Sequence, residues 1–273
     1  MAAPANNSSN LRQRILTGVG LGTALLAALW WLPTPAWAVL MGFIVAAGAW
    51  EWADMIGYAG RLRIVYSVLA PLLAAALHLL PIASIALACG AFWLLLAPLW
   101  LARGWPIPKG AAGGALGWLV LAPTGFAAIY LHAYSPRLLL ACILLTVIAD
   151  SAAYFSGRRF GGHFIRRKLA PRISPGKSWE GVIGGAVAVA LYTLAISLGL
   201  LACASACAMR LQGFAFLLFV ASILGDLFES HAKRQAGIKD SGSLLPGHGG
   251  VLDRMDSLTA VLPLAFCFLV FWK

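Results

Sequence analysis

The chain has 273 residues, of which 61% are hydrophobic and only 11% are charged, and its formal net charge at pH 7 is +11. Soluble domains carry roughly 25% charged residues, so this composition excludes an ordinary soluble protein and indicates a polytopic membrane protein. Membrane topology and attraction to anionic lipid headgroups account for the positive charge. A nucleic-acid partner is therefore not expected.

Apolar runs along the chain predict an all-α protein with nine transmembrane helices. Each crossing needs roughly 20 apolar residues at a rise of about 1.5 Å per residue. The second run is short and the fifth contains Pro123 and Gly125, which leaves a kinked or re-entrant path open for both. The approximate ranges are 15–32, 36–50, 64–80, 82–101, 111–133, 136–155, 181–203, 211–228 and 255–272.

Lysine and arginine fall almost entirely on one side of this predicted topology. With a cytoplasmic N-terminus, 17 of the 20 basic residues lie on the cytoplasmic side, and only Arg137, Arg210 and Lys273 lie on the other. This asymmetry is what the positive-inside rule requires. It predicts nine spans with the N-terminus inside and the C-terminus outside.

The acidic residues divide the chain into two regions. The range 55–149 contains no Asp or Glu over 95 consecutive residues. We therefore interpret 1–148 as transmembrane scaffold helices and 149–273 as a catalytic transmembrane region with a cytoplasm-facing site. Seven of the nine acids follow the gap: Asp150, Glu180, Asp226, Glu229, Asp240, Asp253 and Asp256.

Two acids precede the gap. Glu51 and Asp54 follow the second predicted span and lie near Arg61 and Arg63 in the sequence. We interpret both as interfacial anchors and ion-pair partners rather than as chemical groups.

The first charged cluster after the gap is "ADSAAYFSGRRFGGHFIRRK", residues 149–168. Asp150 lies inside the inner end of the sixth predicted span. An ionisable group at such a depth costs at least about 2.5–3.5 kcal/mol, so it usually faces a cavity or a partner.

The second cluster is "SPGKSWEG", residues 174–181. One interpretation is a helix start, with Ser174 or better Ser178 as the N-cap and Glu180 favoured by the helix dipole. The other is a nucleotide contact through Ser174 and Lys177. Both can hold at once.

The third cluster runs from "LGDLFESHAKR" into "KDSGSLLPGHGGVLDRMDS". Asp226 and Glu229 are three residues apart and share one helix face. Asp253 and Asp256 have the same spacing and are expected to project into the same inter-helix cavity as Asp226. Carboxylates brought together repel each other unless a cation intervenes, and oxygen-only ligands favour Mg²⁺.

Bases and glycines accompany these carboxylates. Lys233, Arg234 and Lys239 are suited to phosphate groups, and Gly249 and Gly250 allow backbone N–H groups to approach an anion closely. The combination indicates a phosphate-ester site.

Two simpler interpretations stay open within this cluster. His248 is either a functional residue or an ordinary loop histidine with satisfied hydrogen bonds. Asp253 and Arg254 could form a juxtamembrane ion pair, worth about 0–1 kcal/mol at an exposed surface.

The segment "SHAKRQAGIKDSGSLLPGHGGVLDRMD", residues 230–256, resembles the signature of the phosphatidate cytidylyltransferases, also called CDP-diacylglycerol synthases. The upstream blocks "ADSAAYFSGRRFG", "SPGKSWEG" and "GDLFES" are also similar to that family. Ala232 and Gly176 depart from the usual pattern. The matching positions are Ser230, Lys233, Arg234, Lys239, Asp240, Gly242, Leu245, Pro246, His248, Gly249, Gly250, Asp253, Arg254 and Asp256.

The resemblance implies transfer from CTP to phosphatidic acid with Mg²⁺ as cofactor, in a bacterial inner membrane with the site on the cytoplasmic side. Asp226 and Asp253 would be the principal metal ligands and Asp240 a weaker one. Membrane lipids are the expected surroundings, and a homodimer is kept as a hypothesis. The remaining assignments are Lys239, His248 and Arg254 as catalytic residues, and Ser174, Lys177, Lys233, Arg234, Gly249 and Gly250 as substrate-binding residues.

Two other functions share part of this pattern. A CTP-dependent lipid-alcohol kinase would have the same substrate electrostatics but would release CDP instead of pyrophosphate. An ion-coupled transporter would bury Asp150 and Asp226 but would not need a Gly-rich loop with many bases.

Overall fold

The computed structural model describes residues 7–200, 205–245, 247 and 249–271. The predicted catalytic residue His248 and the predicted outside residue Lys273 lie outside this set. The described part is almost entirely helical, with one short two-stranded sheet. The expectation of an all-α polytopic membrane protein is therefore confirmed.

The first half of the chain forms helices α1 to α6. Helix α3 ends in a 3₁₀ turn at Leu77–Leu79, and α4 continues through a π turn at Phe92–Leu96 into α5. The bounds are α1 Asn7–Trp31, α2 Thr34–Met55, α3 Gly60–Ala76, α4 Ile82–Ala91, α5 Ala97–Arg103 and α6 Gly110–Tyr134.

The second half forms α7 to α11 and the two strands. A π turn at Ile196–Leu200 extends α8, and α10 is a single short turn. The bounds are α7 Pro136–Phe160, β1 Lys168–Ala170, β2 Ser174–Ser178, α8 Trp179–Ala195, α9 Ser205–Gln235, α10 Leu252–Met255 and α11 Leu258–Phe271.

Seven helices in the described ranges are long and apolar enough to cross a membrane. Two shorter apolar helices, Thr17–Trp31 and Leu258–Phe271, lie in the first and last predicted ranges. A helix is therefore present in each predicted range, while the number of crossings and the orientation stay predictions. The seven are Thr34–Met55, Gly60–Leu79, Ile82–Arg103, Gly110–Tyr134, Pro136–Phe160, Trp179–Gly199 and Cys207–Gln235.

Helices α2 and α6 run unbroken for 22 and 25 residues, so the re-entrant alternative is wrong for both. Gly125 serves close packing between them instead. A Cβ atom at Gly125 would lie 2.6 Å from Cγ2 of Val45 on α2. Small residues permit such close helix contacts in membranes.

Strands β1 and β2 form an antiparallel hairpin between α7 and α8, with Lys168 opposite Ser178. The sequence did not predict this hairpin. Ser178 caps α8, because its Oγ accepts a hydrogen bond from the Gly181 N–H at 3.2 Å, as the helix-start interpretation predicted. The hairpin carries Lys177 to the start of α8, beside the inner face of α7.

Buried aromatic rings fix α9 and α11 against the first-half helices. Phe228 on α9 makes edge contacts with Phe92 and Trp93. Phe266 on α11 makes edge contacts with Phe126 and Tyr130 on α6. Such edge-to-face pairs contribute about 0.5–1.5 kcal/mol beyond area burial. They hold the helices that carry the charged cluster.

Candidate active site

One cavity of about 790 Å³ lies between α7, β2, α8, α9 and the segment 253–258. Its wall contains charged and apolar side chains, and most of the apolar ones on α7 and α9 precede the carboxylates Asp150 and Asp226 along these helices. The charged side chains are those of Asp150, Arg158, Lys177, Asp226, Asp253, Arg254 and Asp256. The apolar side chains include Leu25, Ile143, Val147, Val182, Phe219 and Ile223.

The cavity brings together the carboxylates that the sequence analysis grouped. Asp226 comes from α9, and Asp253 and Asp256 come from α10 and its end. Asp150 on α7 joins them and accepts a hydrogen bond from Ser257 Oγ at 3.4 Å. The predicted shared inter-helix cavity is confirmed, and Asp150 faces a cavity as its depth required.

Asp226 is already engaged through both of its oxygens. Lys177 Nζ lies 2.6 Å from Oδ2, and Ser230 Oγ donates to Oδ1 at 3.1 Å. Both side chains of the ion pair are about a quarter exposed, so solvent reaches the pair. Lys177 thus stands at the cavity wall, where a phosphate group could replace Asp226 as its partner.

Asp253 is held more tightly. Its Oδ1 accepts from Lys233 Nζ at 2.6 Å, and its Oδ2 accepts from the Ser241 and Gly250 N–H groups, both at 2.9 Å. Burial alone would raise the pKa of the Asp253 carboxyl, but the bonds from Lys233 and Gly250 outweigh it and the pKa lies below its ordinary value. Asp253 is therefore an ionised, fixed carboxylate.

Lys233 was predicted to contact phosphate, but the structure places it against protein carboxylates. Its Nζ lies 2.8 Å from Glu229 Oε2 as well as 2.6 Å from Asp253 Oδ1. Its side chain is only 10% exposed and is not part of the cavity wall among the described residues. In this arrangement Lys233 holds Asp253 in place without lining the cavity itself.

The other predicted phosphate contacts separate into two groups. Arg254 and Lys177 line the cavity, whereas Ser174, Arg234 and Lys239 are absent from its described wall, as is Asp240. Arg234 instead donates to the carbonyl oxygens of residues 173 and 238. Lys239 and Asp240 are exposed.

Gly249 and Gly250 do approach an anion, but that anion belongs to the protein. Gly249 has φ +81°, and a Cβ atom there would lie 2.9 Å from Asp253 Oδ2. Gly250 donates its N–H to the same oxygen. The two glycines allow the loop to wrap around Asp253.

The donor set fits an Mg²⁺ ion that is held partly by the protein and partly by the substrate. Within the described ranges, no three His, Cys, Asp or Glu side chains are close enough to form a metal cage. Mg²⁺ in phosphoryl-transfer sites is usually held by one or two carboxylates, with water and substrate phosphates completing the shell. Asp226 and Asp253 line the same cavity and match this arrangement of one or two carboxylates.

Glu51 was interpreted as an interfacial ion-pair residue, and this interpretation is wrong. Its side chain is 1% exposed and accepts hydrogen bonds from Ser241 Oγ and from the N–H groups of Val251 and Leu252. Asp54 does form the predicted ion pair, with Arg63 at 2.9 Å. A signal was available in the sequence, because Glu51 lies between Trp50 and Trp52 and not among other polar residues.

Glu180 also has a larger role than the helix dipole suggested. Its Oε1 accepts from the N–H groups of Gly162, Phe164 and Ile165 at 2.9–3.1 Å. Glu180 thereby fixes the loop that leads from α7 into β1.

The fold and the cavity together define a multi-pass membrane protein in which carboxylates, bases and apolar side chains line one cavity. A model of the cytidylyltransferase family matches residues 12–272. The chain therefore belongs to the cytidylyltransferase family.

Named relatives agree with this assignment. The chain is 43% identical over 262 residues to a phosphatidate cytidylyltransferase of Pseudomonas aeruginosa, covering 93% of this chain and 94% of that protein. It is 38% identical over 282 residues to one of Brucella suis, covering 95% and 93%. A shorter match to one of Haemophilus influenzae is 50% identical over 137 residues, covering 49% and 46%.

Proposed function

We propose that this protein transfers the cytidylyl group of CTP to phosphatidic acid, producing CDP-diacylglycerol and pyrophosphate for phospholipid synthesis. Family membership supports the reaction type, and the names of its relatives support the lipid acceptor. The observation that carries the proposal is the cavity whose wall contains both charged and apolar side chains.

The apolar and charged side chains of the cavity wall suit the acyl chains and the phosphate group of a lipid phosphate. Phe219, Ile223 and Val147 offer apolar surface for acyl chains. Lys177 and Arg254 offer cations for phosphate groups at the wall of the same cavity. A water-soluble acceptor would not need the apolar part.

The reaction requires a phosphatidate oxygen to attack the α-phosphorus of CTP in line while pyrophosphate leaves. Mg²⁺ bound by Asp226, with Asp253, would supply charge neutralisation on the phosphates. Arg254 would hold the leaving phosphates, and Lys177 would exchange Asp226 for substrate phosphate. Lys233 would keep Asp253 ionised and in place.

The decisive experiment uses the purified protein in detergent with labelled CTP and Mg²⁺, and with phosphatidic acid or a lipid alcohol such as diacylglycerol as the acceptor in parallel reactions. The proposal expects labelled CDP-diacylglycerol and one pyrophosphate per turnover. Release of CDP with a phosphorylated lipid would replace it with the kinase function. Absence of turnover with either acceptor would favour transport.

We further propose that the site faces the cytoplasm of a bacterial inner membrane, with nine crossings and the C-terminus outside. The 17 to 3 division of basic residues supports this orientation. Single cysteines placed at the exposed positions Ser243 and Leu244 of a cysteine-free protein test it. Labelling there by an impermeant reagent added outside intact cells would contradict the orientation.

A further inference from the structure

The loop that connects α9 to α10 is closed at its base by Glu51, which comes from α2. Ser241 begins the closed part, and Val251 and Leu252 end it. Glu51 Oε2 accepts from Ser241 Oγ at 2.9 Å and from the Leu252 N–H at 2.8 Å, and Oε1 accepts from the Val251 N–H at 2.9 Å. Both oxygens are therefore in use.

Two glycines of the loop leave room for this carboxylate. A Cβ atom at Gly242 would lie 2.5 Å from Glu51 Oε1, and one at Gly250 would lie 2.5 Å from Oε2. Real Cβ atoms do not approach oxygen so closely, so any side chain at either position would displace Glu51 or the loop. The glycines and Glu51 form one interlocked arrangement.

Asp253 holds the same loop base from the cavity side. Its Oδ2 accepts from the Ser241 and Gly250 N–H groups, which flank the groups that Glu51 binds. Glu51 is absent from the described cavity wall, whereas Asp253 and Arg254 are part of it. A shift of the loop base would therefore move Asp253 and Arg254 together.

We infer that Glu51 is a positioning residue for the proposed reaction: it fixes the loop base so that Asp253 and Arg254 face the cavity with the geometry that turnover needs. The expected effect on turnover rests on the proposed function, whereas the hold of Glu51 on the loop base does not. A charged acceptor suits the position, because hydrogen bonds to charged groups are stronger than those between neutral groups, and leaving a buried N–H without a partner is unfavourable.

The test compares Glu51→Gln with Asp54→Asn, a matched substitution one helical turn away on an exposed side chain. The amide of glutamine keeps one oxygen and sets an NH₂ donor against one of the loop N–H groups. Hydrogen exchange of peptides covering 240–252 is measured in detergent without substrate. We expect faster exchange there in Glu51→Gln, unchanged exchange in α11, and wild-type exchange in Asp54→Asn.

Kinetics on the same preparations test the catalytic consequence. We expect kcat, normalised to folded protein, to fall by about 10- to 100-fold in Glu51→Gln, the size expected for roughly 1 Å of misplacement. The Mg²⁺ concentration for half-maximal rate should rise, because Asp253 is displaced. A purely structural role would lower the yield of folded protein but leave both quantities unchanged.

The outcomes separate the two proposals. Unchanged exchange in 240–252, or a kcat within threefold of wild type together with an unchanged Mg²⁺ requirement, overturns the role of Glu51. A wild-type protein without cytidylyltransferase activity overturns the proposed function, while hydrogen exchange still decides whether Glu51 holds the loop.

A second variant covers the case in which Glu51→Gln does not fold. Ser241→Ala removes one of the three hydrogen bonds and keeps the carboxylate. We expect a loss of kcat of about three- to tenfold, smaller than in Glu51→Gln, because the bonds from the Val251 and Leu252 N–H groups to Glu51 and from the Ser241 N–H to Asp253 remain. A loss below twofold would contradict the inference.

Discussion

Two loops of this protein are each held by one buried carboxylate through three hydrogen bonds, and the two arrangements differ in origin. Glu180 binds three N–H groups that lie 15 to 18 residues before it. Glu51 binds partners 190 to 201 residues after it. The first loop is fixed locally, whereas the second is fixed only after α2 has packed against the C-terminal half.

The two carboxylates also differ in how their oxygens are used. Glu180 accepts all three bonds through Oε1, and its Oε2 has no partner among the described residues. Glu51 divides its bonds between both oxygens. Replacement by glutamine should therefore distinguish a loop that tolerates a neutral amide from one that does not.

The largest loss of turnover is expected at Asp253, which follows the loop held by Glu51, and at Asp226, which lines the same cavity. Asp253→Asn and Asp226→Asn should each reduce turnover by about 10³-fold or more, because each removes ligand charge at nearly constant volume. Retained monodispersity and melting temperature in detergent show that the fold survives. Turnover within tenfold of wild type in either variant would remove that residue from the metal site.

A smaller loss of activity should distinguish Lys239 from Arg254, the bases on either side of the loop held by Glu51. Arg254→Ala should lower kcat/KM for CTP by more than the tenfold that about 1.4 kcal/mol represents, because Arg254 lines the cavity. Lys239, which the family resemblance assigns as a catalytic residue, is exposed and absent from the described wall, so Lys239→Ala should lose less activity than Arg254→Ala.

Steady-state kinetics with varied CTP at saturating phosphatidic acid measure both variants. Equal losses would show that the loop around residue 239 moves into the cavity when CTP binds. Losses below about threefold in both, equivalent to roughly 0.65 kcal/mol, would place both bases outside the site.

The comparison of the two loops is sharpest in the pair Glu180→Gln and Glu51→Gln. Glutamine at 180 can keep its oxygen on the three N–H groups and place its NH₂ at the Oε2 position. We expect a loss of kcat below about fivefold, against 10- to 100-fold at Glu51. A larger loss at Glu180 than at Glu51 would contradict the assignment of loop control to Glu51.

The sequence predicted the parts of this site that depend on local spacing. The three-residue spacing of Asp253 and Asp256, the depth of Asp150 and the Ser178 cap all follow from helix periodicity and capping rules, and the structure contains each of them. The apolar runs likewise predicted where helices lie, because segment length and hydropathy are properties of a single stretch of chain.

Features that depend on contacts between distant segments could not be predicted from the sequence. Glu51 was read with its sequence neighbours Arg61 and Arg63, but its partners lie at 241 and 251–252. Lys233 was assigned to phosphate because bases that accompany carboxylates and glycines indicate a phosphate-ester site, yet on helix α9 Lys233 contacts Glu229 and Asp253. A charge pattern gives the residue type of a site but not which of its charges pair with each other.

The smallest expected effect belongs to Asp54, the exposed acid one turn after Glu51. Its ion pair with Arg63 leaves the Asp54 side chain 58% exposed, and exposed pairs contribute about 0–1 kcal/mol. Arg63 keeps its hydrogen bond to the Trp50 carbonyl and its position over the Trp50 ring without Asp54. Asp54→Asn should therefore leave kcat and the Mg²⁺ requirement within about twofold of wild type, measured beside Glu51→Gln. A loss at Asp54 comparable to that at Glu51 would mean that the end of α2 acts as a whole, and that the three bonds to the loop base are not what controls turnover.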